Sequence, residues 1–317
     1  MQLADLAAWT PVAVNLGSAA PSVDWGDLRG VRFAEPFLQQ TVGRWAGDDP
    51  QPLIRTSLDV LAALDVAPSL DPAGLVFHLS RCGSTLLSRL LSVVPGTLVV
   101  SEPPPLNTLV AADPGAIDDA ALVPMLRAMV RALGRIRFGD ERRYILKLSS
   151  WNVRRIGLFR RAFPEVPVVW VQRDPIEVVA SLLADEPGWA KLQRFPAELE
   201  RLFGLAEQDI ATSDEAGFYA QALAALLRAV AEDKRGTRLV LDYRELPNAI
   251  WERAAPFLGI GLDPADIARM RDEARYDSKS VGQRPFAARV AAGAALGDCA
   301  RAVIEQLVTP LYRAVAQ

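Results

Sequence analysis

The chain has 317 residues, half of them hydrophobic, with 23% charged and a formal net charge of −3. That length buries one large core, or a core with an appendage, and the near-neutral balance offers no electrostatic footprint for nucleic acid. Two distant cysteines, Cys82 and Cys299, and a single histidine, His78, exclude a disulfide framework and a Cys- or His-based metal cage, and the absence of a leader-like start or a span-length apolar run sets the expectation of a soluble cytoplasmic protein.

Residues 1–70 show no obvious β-run and are punctuated by Pro11, Pro21, Pro36, Pro50 and Pro52. Leu53, Leu58, Leu61 and Leu64 have helical spacing, which predicts a helix from about Pro52 to Leu64 and a mainly helical extension over 1–70. The pattern changes in 71–317. Gly74–Leu79 is a short apolar run suited to a buried strand, and it passes through Ser80-Arg81-Cys82-Gly83 into a helix over Ser84–Leu91. Further strands are expected at Thr97–Val100, Tyr144–Leu146, Val166–Gln172 and Arg238–Leu241. Helices are expected at Ala120–Leu133, Trp151–Phe163, Pro175–Leu183, Glu198–Glu232 with a polar break near Thr212–Asp214, and Leu246–Phe257. Alternating strands and helices predict an α/β fold with a parallel sheet covered on both faces. The stretch 186–217 interrupts this pattern with Trp189, Phe195 and Phe203, followed by Phe218, and reads as a helical lid or acceptor wall inserted in the α/β domain. A last helix falls at about Asp298–Ala316, there is no internal repeat, and the basic run Arg154–Arg161 reads as one solvated helix face.

The strand–loop–helix at Gly74–Leu91 carries the first chemical signal. A glycine just before a helix lets the backbone approach an anion, and the helix N–H groups and dipole then hold it. Ser84 and Thr85 add hydroxyl donors. The loop is not a Walker A motif, because no lysine stands between Gly83 and Ser84; the cation, Arg81, precedes the glycine instead. The second signal is Arg173-Asp174-Pro175, after the strand Val166–Gln172, with Ser181 eight residues beyond the arginine. Eight residues is a little over two helical turns, so the serine returns to the face where the arginine began. The planar fork of an arginine suits a phosphate. Asp174 is also a natural cap for the helix beginning at Pro175.

Arg81-Cys82-Gly83-Ser84-Thr85-Leu86-Leu87, together with Arg173 and Ser181, resembles the sulfotransferase family, in a style similar to the tyrosylprotein and related bacterial sulfotransferases. The resemblance covers about residues 74–285. It implies a three-layer P-loop-type fold and a co-substrate, 3′-phosphoadenosine 5′-phosphosulfate (PAPS), with no metal expected. It implies that Arg81, Cys82, Gly83, Ser84 and Thr85 hold the 5′-phosphosulfate, and that Arg173 and Ser181 hold the 3′-phosphate. Glu102, after the second strand of the sheet, matches the place of the family's catalytic glutamate, where a raised pKa would suit a general base. Lys147, at a strand end, matches a lysine that contacts the transferring group; Arg81 would share that charge and Ser149 or Ser150 would assist. Tyr243 is a candidate near the adenine, and Lys279 and Arg284 are candidates for a late basic loop over the 3′-phosphate. His78, on an apolar strand ahead of the loop, reads as a core histidine with a satisfied hydrogen bond.

The implied activity is sulfuryl transfer to a hydroxyl or amine of a small-molecule or peptide acceptor, with neither nucleic acid nor a membrane as partner. The alternatives are an ATP-dependent small-molecule kinase, disfavoured by the missing lysine, and a non-catalytic nucleotide-binding protein. The acceptor and the oligomeric state stay open, since acceptor walls are built from variable loops.

Overall fold

The computed structural model describes residues 6, 8–17, 20–48, 51–63, 68–115, 117–211, 213–280, 284–286 and 296–316. The N-terminal extension is not mainly helical. It is built on a three-stranded antiparallel sheet of β1 (Thr10–Asn15), β2 (Ser22–Gly26) and β3 (Leu53–Ser57), in the order β1-β2-β3, with helix α1 (Leu38–Ala46) between β2 and β3. The helix expected from Pro52 misreads β3. From Leu53 to Ser57 exposure alternates residue by residue, the period of a strand, and Leu53 points outward. Only Val60–Ala63 forms a helical turn, and Leu64 lies outside the described residues. The fully buried Trp25 of β2 donates its indole N–H to Thr56 Oγ1 at 2.9 Å, and Arg55 clasps Asp24 at 2.6 and 2.9 Å.

The main body is α/β. Five parallel strands, β4 (Pro72–His78), β5 (Thr97–Ser101), β6 (Arg143–Lys147), β7 (Val168–Gln172) and β8 (Arg238–Asp242), lie in the order β5-β6-β4-β7-β8. Helices flank this sheet. Helix α2 (Ser84–Ser92) leads from β4 to β5, and α3 (Pro104–Val110) and α4 (Asp119–Leu133) lead on to β6. A tight 3₁₀ turn, Ser150–Arg155, runs into α5 (Ile156–Ala162), where a single helix was expected. The reciprocal bonds of the Ser149–Asn152 capping box hold that first turn. Between β7 and β8 come α6 (Pro175–Ala184), α7 (Pro196–Phe203), α8 (Glu207–Ala211) and α9 (Glu215–Glu232). After β8 the chain makes a 3₁₀ turn at Tyr243–Glu245 and resumes as a helix only at Ile250, later than expected. Helix α10 (Pro264–Glu273) follows, and the expected C-terminal helix is two, α11 (Asp298–Leu307) and α12 (Thr309–Ala316).

The sheet core is dry. Every residue of β7 is buried, Trp170 included, and Tyr144 of β6 is fully enclosed. Helix α9 is apolar on nearly all sides and packs against α6, α11 and α12, so it behaves as a core element. Trp189 stacks within 5.0 Å of Phe203, 5.8 Å of Tyr219 and 6.0 Å of Phe218. These aromatics pack in or against the one hydrophobic core; of those singled out in the sequence, Phe195 alone is largely exposed. The two sheets are tied by Arg135, whose guanidinium donates to the carbonyls of Leu6 and Trp9 and lies 5.2 Å from the Trp25 ring.

The order β5-β6-β4-β7-β8 has a functional consequence. The connection leaving β4 runs toward one edge of the sheet, and the one leaving β6 runs past β4 toward the other. Such a reversal opens a crevice at the carboxyl ends of the strands, where ligands collect in open α/β sheets.

Candidate active site

The loop leaving β4 is shaped by two residues in the left-handed region, Arg81 (φ 58°) and Gly83 (φ 85°). For Gly83 this costs little; for an arginine it is uncommon and marks a local constraint. A Cβ on Gly83 would sit 2.7 Å from Leu246 Cδ1 and 2.9 Å from Tyr243 Cδ2, so the glycine is required twice, for φ and for space. Ser84 and Thr85 open α2 and are buried. The Cys82 side chain turns away from the loop. Its thiol points into the core and donates to the Val171 carbonyl at 3.2 Å, and burial pushes it up to about 12. Only its backbone can face an anion.

Tyr243 and Arg173 meet beside this loop. The Arg173 guanidinium stacks 4.2 Å from the Tyr243 ring centre, donates from Nη1 to the Arg81 carbonyl at 3.3 Å and pairs through Nε with Glu177 at 2.7 Å. Tyr243 therefore holds an arginine through its ring face. Ser181 is half-buried on α6, and among the described residues no hydrogen bond or ion pair joins it to Arg173. Asp174 caps α6 through Ile176 N–H, as its sequence position suggests. The Arg81 side chain bonds to the Asp185 carbonyl and carboxylate, the latter at 2.8 Å, at the far end of α6.

Lys147 and Glu102 close the other side of the crevice. In register, Lys147 pairs with Val76 of β4 and Ser101 of β5, which sets it between the two strand ends. It is fully buried, its ammonium is bonded to Glu102 Oε1, and the Phe37 ring centre lies 5.0 Å away. Glu102 sits just past β5 with φ 48°, a second strained backbone, and its N–H donates to the Lys147 carbonyl at 2.7 Å. Ser149 Oγ lies 3.4 Å from Glu102 Oε2 and accepts from Asn107 Nδ2 at 2.9 Å. Burial alone would raise the Glu102 pKa, but the Lys147 charge beside it outweighs this and holds the carboxyl well below its usual range. That is opposite to the raised pKa that a general base would want, and it holds as long as Lys147 stays on Glu102.

His78 is not simply a core residue. One ring nitrogen is satisfied by the Leu79 carbonyl at 3.1 Å, while Nε2 lies 3.5 Å from Glu102 Oε1 and has no hydrogen-bond partner among the described residues.

The late loop reaches the site through Lys279. Lys279 is an exposed residue, yet desolvation at its ammonium, and then the charge of Arg81, push it down to about 8; Asp185, Lys147 and Glu102 also act on it. Its field is that of the Arg81–Lys147 end of the crevice. Arg284 is exposed, and its carbonyl accepts from Asp277 N–H at 2.7 Å, so its backbone closes the loop; residues 281–283 lie outside the described residues. The contributions missed in the sequence are His78, Asp185, Glu177 and Phe37. None carries a linear motif, and Phe37 comes from the N-terminal extension.

No protein-family model matches the chain, and no curated protein matches it in sequence. Among solved structures it is similar to a sulfotransferase from Mycobacterium avium, at 16% identity and a TM-score of 0.39, over 65% of this chain and 68% of that one. It is similar to a sulfotransferase from Mycobacterium tuberculosis H37Rv at 17% identity and 0.39, over 67% and 76%. It is similar to the sulfotransferase domain of the curacin biosynthetic pathway at 13% identity and 0.38, over 78% and 98%. Likenesses at this distance carry no assignment of function.

Proposed function

We propose that this protein transfers the sulfuryl group of PAPS to a hydroxyl or amine acceptor. One observation carries the reading. Four cations, Arg81, Arg173, Lys147 and Lys279, gather about a left-handed glycine loop at a helix start, and three carboxylates, Asp185, Glu177 and Glu102, accompany them. Four cations against three carboxylates fit a polyanion with phosphate at both the 3′ and the 5′ position of its ribose. PAPS, when bound, supplies a sulfuryl group activated by its bond to the 5′-phosphate.

The protein's own residues would then act as follows. The Gly83–Thr85 backbone and hydroxyls hold the 5′ end, and Arg173, flattened against Tyr243, offers its free edge to the 3′-phosphate, with Ser181 beside it. Lys147, Arg81 and Lys279 neutralise the charge that grows on the bridging oxygen, which is the larger part of catalysis in such transfers. Glu102 receives the acceptor's proton. In balance, the acceptor O–H or N–H breaks and its bond to sulfur forms. The sulfur–oxygen bond to the 5′-phosphate breaks with its electron pair on the phosphate, and the proton ends on Glu102. Metal is not called on in this scheme.

The test is calorimetric titration with 3′-phosphoadenosine 5′-phosphate beside ATP, for the native chain and Arg173→Ala. Charge-assisted hydrogen bonds of about 1.5–3 kcal/mol predict a loss of roughly ten- to hundred-fold in the variant. Tight binding that ATP does not match, and that the variant loses, supports the reading. Preference for ATP with magnesium would replace it with a kinase, and no binding of either nucleotide would end it.

A further inference from the structure

His78 is the chain's one histidine and is only 6% exposed, at the carboxyl end of β4. Its Nδ1 lies 3.1 Å from the Leu79 carbonyl. A carbonyl can only accept, so Nδ1 carries the hydrogen, and in the neutral form of the ring Nε2 is a bare lone pair. That lone pair faces Glu102 Oε1 at 3.5 Å and has no hydrogen-bond partner among the described residues. Two acceptors thus oppose each other, an arrangement that becomes attractive only when a proton lies between them.

We propose that His78 is a positioning residue for Glu102, its Nε2 taking a share of the proton that Glu102 receives from the acceptor. The inference rests on the sulfuryl-transfer reading above. In the resting site, Lys147 on Glu102 Oε1 keeps the carboxylate a poor base. When Lys147 turns its charge to the transferring group, the carboxylate is released, accepts the proton and hands part of it to Nε2. The proton leaves the acceptor, passes to a Glu102 oxygen and rests in the Oε1–Nε2 hydrogen bond; nothing is oxidised or reduced. The charged groups acting on Glu102 are Lys147 from β6 and Lys279 from the late loop, while β7, which pairs Val171 with His78, brings no titratable side chain. The left-handed backbone of Glu102 serves the same end, because it aims the carboxylate back across the strand ends toward His78.

A single histidine makes the experiment direct. The full chain, labelled with ¹⁵N-histidine, is titrated by NMR as the native protein and as Glu102→Gln. The ring should hold its hydrogen on Nδ1 at alkaline pH. The Nε2 resonance should shift in Glu102→Gln, where an amide replaces the carboxylate it faces. His78→Gln should lose about ten- to hundred-fold in kcat, with the KM for PAPS unchanged. A ring with its hydrogen on Nε2, or an Nε2 resonance unmoved in Glu102→Gln while nucleotide still binds, overturns the role of His78 alone. Failure of nucleotide binding in calorimetry overturns the sulfuryl-transfer reading beneath it. If His78→Gln does not fold, the Glu102→Gln spectra still decide.

Discussion

Lys147→Met separates the electrostatic account of the crevice from a purely packing one. The Lys147 side chain is 0% exposed and its partner Glu102 is 27% exposed, so the substitution leaves a largely enclosed carboxylate without its cation. Breaking one side of a buried pair costs about 3–5 kcal/mol. The partial exposure of Glu102, and Ser149 at 3.4 Å, place the expected loss near the lower end, about 3 kcal/mol. With an unfolding entropy of roughly 2.1 cal/mol/K per residue, that is a fall in Tm of about 4–5 °C for a chain of this size. The double variant Lys147→Met, Glu102→Gln should recover most of it, since no unpaired charge remains. The pH dependence is the sharper signature. The folded pKa of Glu102 is depressed from 4.5, so its stabilisation is full above that value and is lost as pH falls through the folded pKa. The gap between the native chain and Lys147→Met should therefore be widest near neutrality and narrow by about pH 3.5, where the stranded carboxyl of the variant is protonated. Urea unfolding at both pH values measures it. A loss below about 1 kcal/mol, or one equal at both pH values, would refute the paired-charge reasoning.

Two further outcomes follow from the loop. Gly83→Ala must carry a side chain at φ 85° and push Tyr243 and Leu246 aside, so it should lose about 1–2 kcal/mol in chemical denaturation and weaken nucleotide binding through Arg173; unchanged stability would refute the close approach. Lys279, with its folded pKa near 8, is an ammonium below that pH and neutral above it. Nucleotide affinity should fall as pH rises from about 7 to 9, with proton uptake at pH 8 visible as a buffer-dependent heat that Lys279→Met abolishes. Without ligand the sign is the reverse of an ordinary ion pair: the unfolded chain binds this proton more tightly, so stability rises with pH between about 8 and 10.5. A flat pH profile for affinity would remove Lys279 from the site.

The parallel sheet was legible because its strands are short, apolar and separated by capped helices; Asp174 with Pro175 announces α6 in one dipeptide. The strand–glycine–helix unit at β4 and the arginine after β7 were legible because each is a local pattern. The antiparallel N-terminal sheet was not. Its strands are short, Pro11 lies inside the first, and leucines at 53, 58, 61 and 64 imitate a helical stripe although the first of them faces solvent. The Glu102–His78 contact was illegible for a topological reason. Residues 78, 102 and 147 meet only because β6 is threaded between β4 and β5, and strand order is not written in local periodicity. The inward turn of Cys82 likewise depends on the Val171 carbonyl of a strand ninety residues away.

The ring of Phe37 over the Lys147 ammonium makes the N-terminal segment a co-owner of the crevice. Phe37 belongs to the loop ahead of α1, outside the parallel sheet, and β1 braces α3, the helix that begins two residues after Glu102. Trimming the chain back to the parallel sheet would bare that ammonium to water and unseat the helix behind the carboxylate. The phosphate loop and its strands form an anion clamp of general design; the segment before them decides how dry its hottest corner stays.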